Sequence, residues 1–87
     1  PFEQASAGAV DAAQAVIDEA GSEECLRGKL SNAIVRLSNS CDARGLTSSA
    51  CVLASDIAGQ DSQLSMGEML STSQALLRML SDDTAAR

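Results

Sequence analysis

Apolar residues recur every three to four positions along most of this chain, and no segment alternates apolar and polar residues over the length of a strand. The first spacing is typical of an α-helix with one buried face, whereas a half-buried strand shows a period of two. The only proline is Pro1, so proline interrupts none of these segments. The sequence therefore predicts an all-α protein.

Four helices can be placed from the apolar periods, at about 3–20, 23–40, 47–58 and 65–80, with a turn at 42–45. Because short connections favour antiparallel neighbours, we expect a small antiparallel four-helix bundle, irregular where the third helix is short. The chain begins at Pro1 without a methionine, so we expect a processed or shortened terminus. With 87 residues it should form a single helical domain, 1–87, in which 81–87 is a frayed tail.

Capping residues support these boundaries. Ser65 and Glu68 have the S-x-x-E spacing of a capping box, and Leu64 and Met69 occupy the two positions of a hydrophobic staple around it. Ser22 stands where the second helix needs an N-cap. Helix ends are predicted at glycines, which readily adopt the left-handed conformation of a C-terminal cap: Gly21, Gly45 and Gly59.

The expected core is thin. The most regular apolar stripe lies on the second helix and consists of Leu26, Leu30, Ala33, Ile34, Leu37 and Cys41. On the first and fourth helices, the apolar period places Val10 and Leu70 on the buried face. Much of the 45% hydrophobic content is alanine, and Phe2 is the only aromatic residue. A chain this short buries only about 60% of its unfolded surface, so we expect it to need a covalent staple or a partner chain.

The charge balance excludes several classes of partner. The net charge is −6, and Lys29 is the only lysine. Nucleic acids and anionic membrane surfaces are bound by clustered Lys and Arg, so we expect neither as a partner. No apolar run approaches the roughly 18 residues that a membrane-spanning helix needs. The acidity itself favours solubility.

The sequence lacks the residues of common catalytic sites. It contains no histidine, which is the commonest general base and the commonest ligand of transition metals. Acidic residues stand side by side at 18–19, 23–24 and 82–83, but adjacent residues on a helix point about 100° apart and so form no clamp. Phosphate-loop and calcium-loop motifs are absent from the sequence. We therefore predict no enzymatic activity, no catalytic residue, no metal site and no cofactor.

The cysteines are the most distinctive residues. Cys25, Cys41 and Cys51 form no C-x-x-C motif, and three cysteines without histidine make a poor zinc site. Two interpretations remain open: free buried thiols, or one disulfide with one leftover thiol. If a disulfide forms, an antiparallel second and third helix pair Cys41 with Cys51 across the turn. An oxidised pair would favour an extracellular or periplasmic location.

Cys25 should not reach either of the other two cysteines. It precedes Cys41 by 16 residues, which is about 24 Å at helical rise, whereas a disulfide needs Cα atoms within about 7 Å. We expect it to remain a free thiol if buried, or to form an intermolecular bond if exposed.

Two functional hypotheses follow from these observations. The first is a non-enzymatic helical interaction module that associates with itself or with another protein through an apolar helix face. The second is a small carrier that holds an apolar ligand between its helices, where Leu and Met side chains would line the site.

Overall fold

The structure, a computed structural model, describes residues 2–59 and 64–85. Within these ranges the chain forms four helices and no strand: α1 (Phe2–Ile17), α2 (Glu23–Arg44), α3 (Ser49–Ala58) and α4 (Met66–Ala85). The predicted all-α four-helix bundle is confirmed, and α3 is the shortest of these helices. Helix α1 packs against both α2 and α4, and α2 also packs against α3. The contact between α3 and α4 is smaller.

Two side-chain pairs show that α2 and α3 run antiparallel. The Cα atoms of Cys41 and Cys51 lie 5.9 Å apart. The hydroxyl oxygens of Ser38 and Ser55 lie 3.3 Å apart. Moving back along α2 from the first pair to the second therefore corresponds to moving forward along α3.

The core is built around α2. All six residues of its predicted stripe are buried, and Leu30, Ile34 and Leu37 are 0% exposed. The side chains that α1 contributes are mostly small: Phe2, Ala9, Ala12, Ala13 and Val16. Alanine leaves little side-chain volume between two helices, so their backbones can approach closely. Buried residues from all four helices form one continuous hydrophobic cluster.

The buried face of α4 differs from the predicted one. Its buried positions are Met69, Ser73, Leu76 and Leu80, a spacing of three and four that includes a serine. The prediction that Val10 and Leu70 face the core was wrong, because they are 36% and 38% exposed. Both residues were assigned to the buried face because they are apolar. Each lies next to a buried residue in the sequence, so its own side chain points away from the core.

The capping box at the start of α4 is confirmed. The Ser65 N–H donates to Glu68 Oε1 at 3.1 Å, and the Glu68 N–H donates to Ser65 Oγ at 3.2 Å. The bond from the Ser65 backbone N–H, aided by the Ser65 hydroxyl, lowers the pKa of the Glu68 carboxyl. Leu64 and Met69 are both buried beside the box, as the staple requires.

Arg27 ties the start of α4 to α2. Its Nε donates to the backbone carbonyl of Leu64 at 2.8 Å, and its Nη2 lies 2.8 Å from Glu23 Oε2. The guanidinium thus joins the first turn of α2 to the residue that precedes the Ser65 cap. The position at which α4 begins is therefore fixed by a side chain 37 positions earlier in the sequence.

Helix α1 ends earlier than predicted and without a glycine. Glu19 adopts the left-handed conformation with a φ of 53°. Its N–H donates to the Val16 carbonyl at 3.1 Å, and the Ala20 N–H donates to the Ala15 carbonyl at 3.0 Å. These two bonds form a Schellman motif. The prediction of Gly21 as the cap was wrong by two positions, although Gly21 also has a positive φ, 153°.

Helix α2 is longer than predicted. It continues to Arg44, so most of the turn expected at 42–45 is helical. The end at Gly45 is confirmed, with a φ of 64° and a ψ of 27°. The Leu46 N–H donates to the Cys41 carbonyl at 2.9 Å and the Gly45 N–H donates to the Asp42 carbonyl at 3.3 Å, which are the two bonds of a second Schellman motif. Ser22 is confirmed as the N-cap, because its hydroxyl accepts the Cys25 N–H at 3.2 Å.

The last helix extends into the segment that was expected to be frayed. Helix α4 continues to Ala85, whereas the tail was predicted to fray over 81–87. Residues 86–87 lie outside the described part of the chain. Fraying is an exchange between conformations, so it stays a prediction that amide hydrogen exchange tests.

Candidate functional site

Cys41 and Cys51 lie at disulfide distance. Their Sγ atoms are 2.05 Å apart, and both side chains are buried, at 1% and 2% exposure. Cys41 lies in the last turns of α2, and Cys51 lies in the first turn of α3. The pairing that the antiparallel layout predicted is therefore the one that the structure brings together.

Cys25 lies apart from this pair. It stands in the first turn of α2, where its thiol is free and exposed. Because Cys25 is exposed, the alternative of a buried thiol does not apply. An exposed free thiol and a bond to a second chain remain. An intermolecular bond at Cys25 stays a prediction.

An apolar cleft separates α3 from α4. Val52, Leu53 and Met79 form its apolar walls, and its volume is about 360 Å³. The polar lining consists of Thr47, Ser49 and Asp56. Among the residues that the structure describes, Asp56 is the one charged side chain that lines the α3–α4 cleft.

The packing of α3 explains why this cleft is open. The residues that α3 buries are all small: Ala50, Cys51 and Ala54. Its larger residue Val52 is 51% exposed, the highest exposure among the large hydrophobic side chains that the structure describes. Leu53 is only half-buried. The helix therefore fully buries only its small side chains, while Val52 and the half-buried Leu53 line the cleft.

A second cleft lies between α1 and α2 and is polar. Its floor is made by small residues, Ala5, Gly8 and Ala33, and its volume is about 310 Å³. Five polar side chains surround that floor: Gln4, Asp11, Lys29, Asn32 and Arg36. The side chains of Lys29 and Arg36 make no ion pair or hydrogen bond with any residue in 2–59 or 64–85.

Sequence analysis missed the residues of both clefts. Lys29, Asn32 and Arg36 lie three, four and seven positions apart along α2, which places them on one helix face. That spacing is visible in the sequence, but the cleft exists only because α1 packs beside this face. Nothing in the sequence signals that Val52 and Met79 would meet at an opening.

The described residues contain no group of three or more Cys, Asp or Glu side chains arranged to hold a metal ion. No helix in the described part of the chain is long and apolar enough to cross a membrane. The predictions that the chain has no catalytic residue, no metal site and no cofactor stay predictions. Comparison of the chain with protein-family models, with curated proteins and with solved structures found no match.

Proposed function

We propose that this protein is a non-enzymatic helical interaction module whose α3–α4 cleft binds a short amphipathic helix of a partner protein. The observation that carries the proposal is the exposure of Val52, which stands beside Leu53 and Met79 at an open apolar cleft. An amphipathic helix inserts apolar anchors into such a groove and keeps its polar face in water. The absence of histidine from the sequence agrees with a role that needs no general base of that kind.

A partner protein fits this cleft better than a second copy of the chain. Six of the described residues line the cleft, whereas each partner in a stable dimer contributes roughly 20–30 residues. Two copies would also bring together two chains that each carry a net charge of −6. The lining residue Asp56 and this overall charge favour a partner helix that carries Lys or Arg next to its apolar anchors.

An oxidised bond between Cys41 and Cys51 would support this role, and we include it in the proposal. The bond would hold α3 against α2 before any partner arrives, so less conformational entropy would be lost on binding. It would also imply an oxidising compartment, extracellular or periplasmic, because cytosolic thiols are kept reduced. The Cα separation of 5.9 Å lies within the usual range for disulfides.

The test uses two synthetic amphipathic peptides with the same leucine face. One carries lysines on its polar face and the other carries glutamates. We expect the lysine peptide to bind the oxidised protein in calorimetry and the glutamate peptide to bind at least about tenfold more weakly, a difference of about 1.4 kcal/mol. Val52→Ser should weaken the lysine peptide severalfold, because the cleft loses its most exposed apolar side chain.

Val35→Ser is the matched control. Val35 is an exposed valine on α2, at 39%, and it does not line the α3–α4 cleft. The same substitution there should leave peptide binding unchanged. Equal losses for the two variants would show that the peptide binds through charge alone, and the proposed docking site would be wrong.

Two further measurements separate the alternative occupants. Sedimentation velocity over a concentration series identifies a second copy as the occupant if Val52→Ser, but not Val35→Ser, abolishes self-association. Native mass spectrometry after gentle purification identifies the carrier if a small apolar molecule co-purifies and Val52→Ser releases it. Either result would replace the partner helix as the occupant of the cleft.

A further inference from the structure

The polar cleft between α1 and α2 is lined by two cationic side chains. Lys29 and Arg36 line it on the α2 side and find no carboxylate partner in the described ranges, although the chain carries twelve acidic residues. By contrast, the Arg27 guanidinium forms an ion pair with Glu23 and donates a hydrogen bond to the Leu64 carbonyl. The two cleft cations are therefore available to a ligand.

The two ends of this cleft differ in charge. Because α1 and α2 are joined by the short connection 18–22 and run antiparallel, Gln4 lies level with the Arg36 end and Asp11 with the Lys29 end. The Arg36 end offers a guanidinium and the amides of Gln4 and Asn32. The Lys29 end offers an ammonium and a carboxylate, whose charges cancel.

This polarity selects the chemistry of the ligand. A guanidinium forms paired hydrogen bonds with a carboxylate, and neighbouring amide N–H groups can complete its coordination. At the other end Lys29 offsets the charge of Asp11, so a second anion gains little there, while the Asp11 carboxylate accepts hydrogen bonds from a hydroxyl or an ammonium group. Lys29 and Arg36 stand seven positions apart on α2, about 10 Å along its axis, so a short molecule reaches both ends.

We propose that the α1–α2 cleft binds a short polar organic acid, with its carboxylate at Arg36 and a hydroxyl or ammonium group directed to Asp11. The floor of Ala5, Gly8 and Ala33 leaves room for the ligand between the two helices. A volume of about 310 Å³ is at the lower end of the range for small-molecule sites. The site lies on a different seam from the α3–α4 cleft, so the two can be tested independently.

The test is a titration of the ¹⁵N-labelled protein, followed by amide chemical shifts. The probes are γ-aminobutyrate, its neutral amide and butyrate. We expect γ-aminobutyrate to give saturable shifts confined to the α1 and α2 residues around the cleft, with a millimolar dissociation constant. The amide lacks the carboxylate and should bind at least about tenfold more weakly. Butyrate lacks the ammonium group and should fall between them.

Substitutions then assign the two ends. Arg36→Gln should weaken γ-aminobutyrate about tenfold, and Arg36→Lys should weaken it less because the charge is kept without the paired donors. Asp11→Asn should weaken γ-aminobutyrate and leave butyrate unchanged. Arg78→Gln on α4 is the control for a general change in charge, since Arg78 does not line the cleft.

Filling the floor of the cleft tests the site without altering its charge. A Cβ added at Gly8 meets no atom within 4 Å in the part of the chain that the structure describes, so Gly8→Leu should keep the fold and project into the cleft. We expect it to abolish the shifts while the thermal melt stays at or above that of the original chain. Absence of saturable shifts, an Arg36→Gln variant that binds normally, or inorganic phosphate binding as tightly as γ-aminobutyrate would each overturn the proposal.

Discussion

Helices α2 and α3 are joined by a short connection and pack against each other, yet they are held in the fold in different ways. Helix α2 buries Leu30, Ile34 and Leu37 completely and is capped by Ser22 at one end and Gly45 at the other. Helix α3 buries only small residues, and its N-cap residue Ser48 makes no capping hydrogen bond. Helix α2 is stabilised by its own core face, whereas α3 depends on contacts with its neighbours.

This difference indicates where the bundle is weakest. Short helices are marginal on their own, and most of their stability comes from tertiary packing. In α3 that packing consists of buried alanines, the half-buried Leu53 and Ile57, the Ser38–Ser55 contact and the Cys41–Cys51 pair. The same helix forms one wall of the α3–α4 cleft, so the helix that we expect to be least stable also carries the proposed docking surface.

The largest effect is expected in the core face of α2. Leu37→Ala or Leu30→Ala should each lower the free energy of unfolding by about 2–5 kcal/mol, because a fully buried leucine leaves a cavity. Leu53→Ala on α3 should cost much less, since Leu53 is half-buried. Urea denaturation followed by circular dichroism measures all three. Equal losses on the two helices would contradict the difference described above.

The next effect concerns the Cys41–Cys51 pair. Peptide mapping under non-reducing conditions should find these residues linked and Cys25 unlinked to either of them. Replacing both by serine should cost about 2–3 kcal/mol in the loop-entropy picture and should raise hydrogen exchange in α3 before α2. Cys25→Ser is the control and should change neither. Three free thiols would remove the argument for an oxidising compartment, and a bond from Cys25 to either partner would contradict the helix arrangement.

The C-terminal glycines of the two helices give a third comparison. Gly45 has a φ of 64°, whereas Gly59 has a φ of −86° in the right-handed region. Gly45→Ala should therefore lower stability by about 1–2 kcal/mol, the cost of placing a Cβ in the left-handed conformation. Gly59→Ala should be neutral, because its φ suits any residue and an added Cβ meets no atom of the described residues within 4 Å. Thermal melts of the pair measure the difference, and a matching loss at Gly59 would show that α3 needs its glycine.

Substitutions of the N-cap serines should change the stability of the protein by smaller amounts. Ser22→Ala and Ser65→Ala should each cost about 1 kcal/mol, because both hydroxyls accept a backbone N–H. Ser48→Ala should cost nothing or stabilise the protein, since the Ser48 hydroxyl oxygen is buried without a partner among the described residues. An unchanged melt for Ser65→Ala would mean that α4 does not begin there.

The smallest effect is a dependence of stability on pH, which arises at the start of α4. Helix α3 should not show it, because it has no acidic residue in its first turn. The pKa of Glu68 is lowered in the folded state, so its contribution to stability is present above the ordinary pKa of 4.5 and is lost as the pH falls through the folded pKa. Glu68→Gln should flatten this acid limb of the stability profile. An identical acid limb in both proteins would show that the carboxylate of the box contributes nothing.

Local signals in the sequence predicted much of this fold. The capping box at Ser65 and Glu68 acts over three positions, and the stripe of α2 follows a strict helical period, so both could be recognised without tertiary information. The Cys41–Cys51 pairing needed one further step, the antiparallel arrangement of two neighbouring helices. What could not be predicted depends on packing between helices. Ser73 is buried because of its position on α4 and not because of its polarity.

Other features had no local signal. Glu19 occupies a left-handed position that usually belongs to glycine, and Gly21 nearby was the more probable cap from residue type alone. The two clefts depend on which helix faces lie side by side. Lys29 and Arg36 were visible only as residues of a polar face until α1 was placed beside them.

The packing of α1 against α4 has a consequence for the order of folding. The α1–α2 and α2–α3 contacts join helices that are adjacent in sequence, so each closes a short loop of chain. Contact between α1 and α4 joins the first helix to the last and closes a loop that contains both others. Because closure of longer loops costs more entropy, we expect α4 to dock late, onto an assembled α1–α2–α3 unit. Mutations in the α1–α4 contact should then accelerate unfolding more than they slow folding.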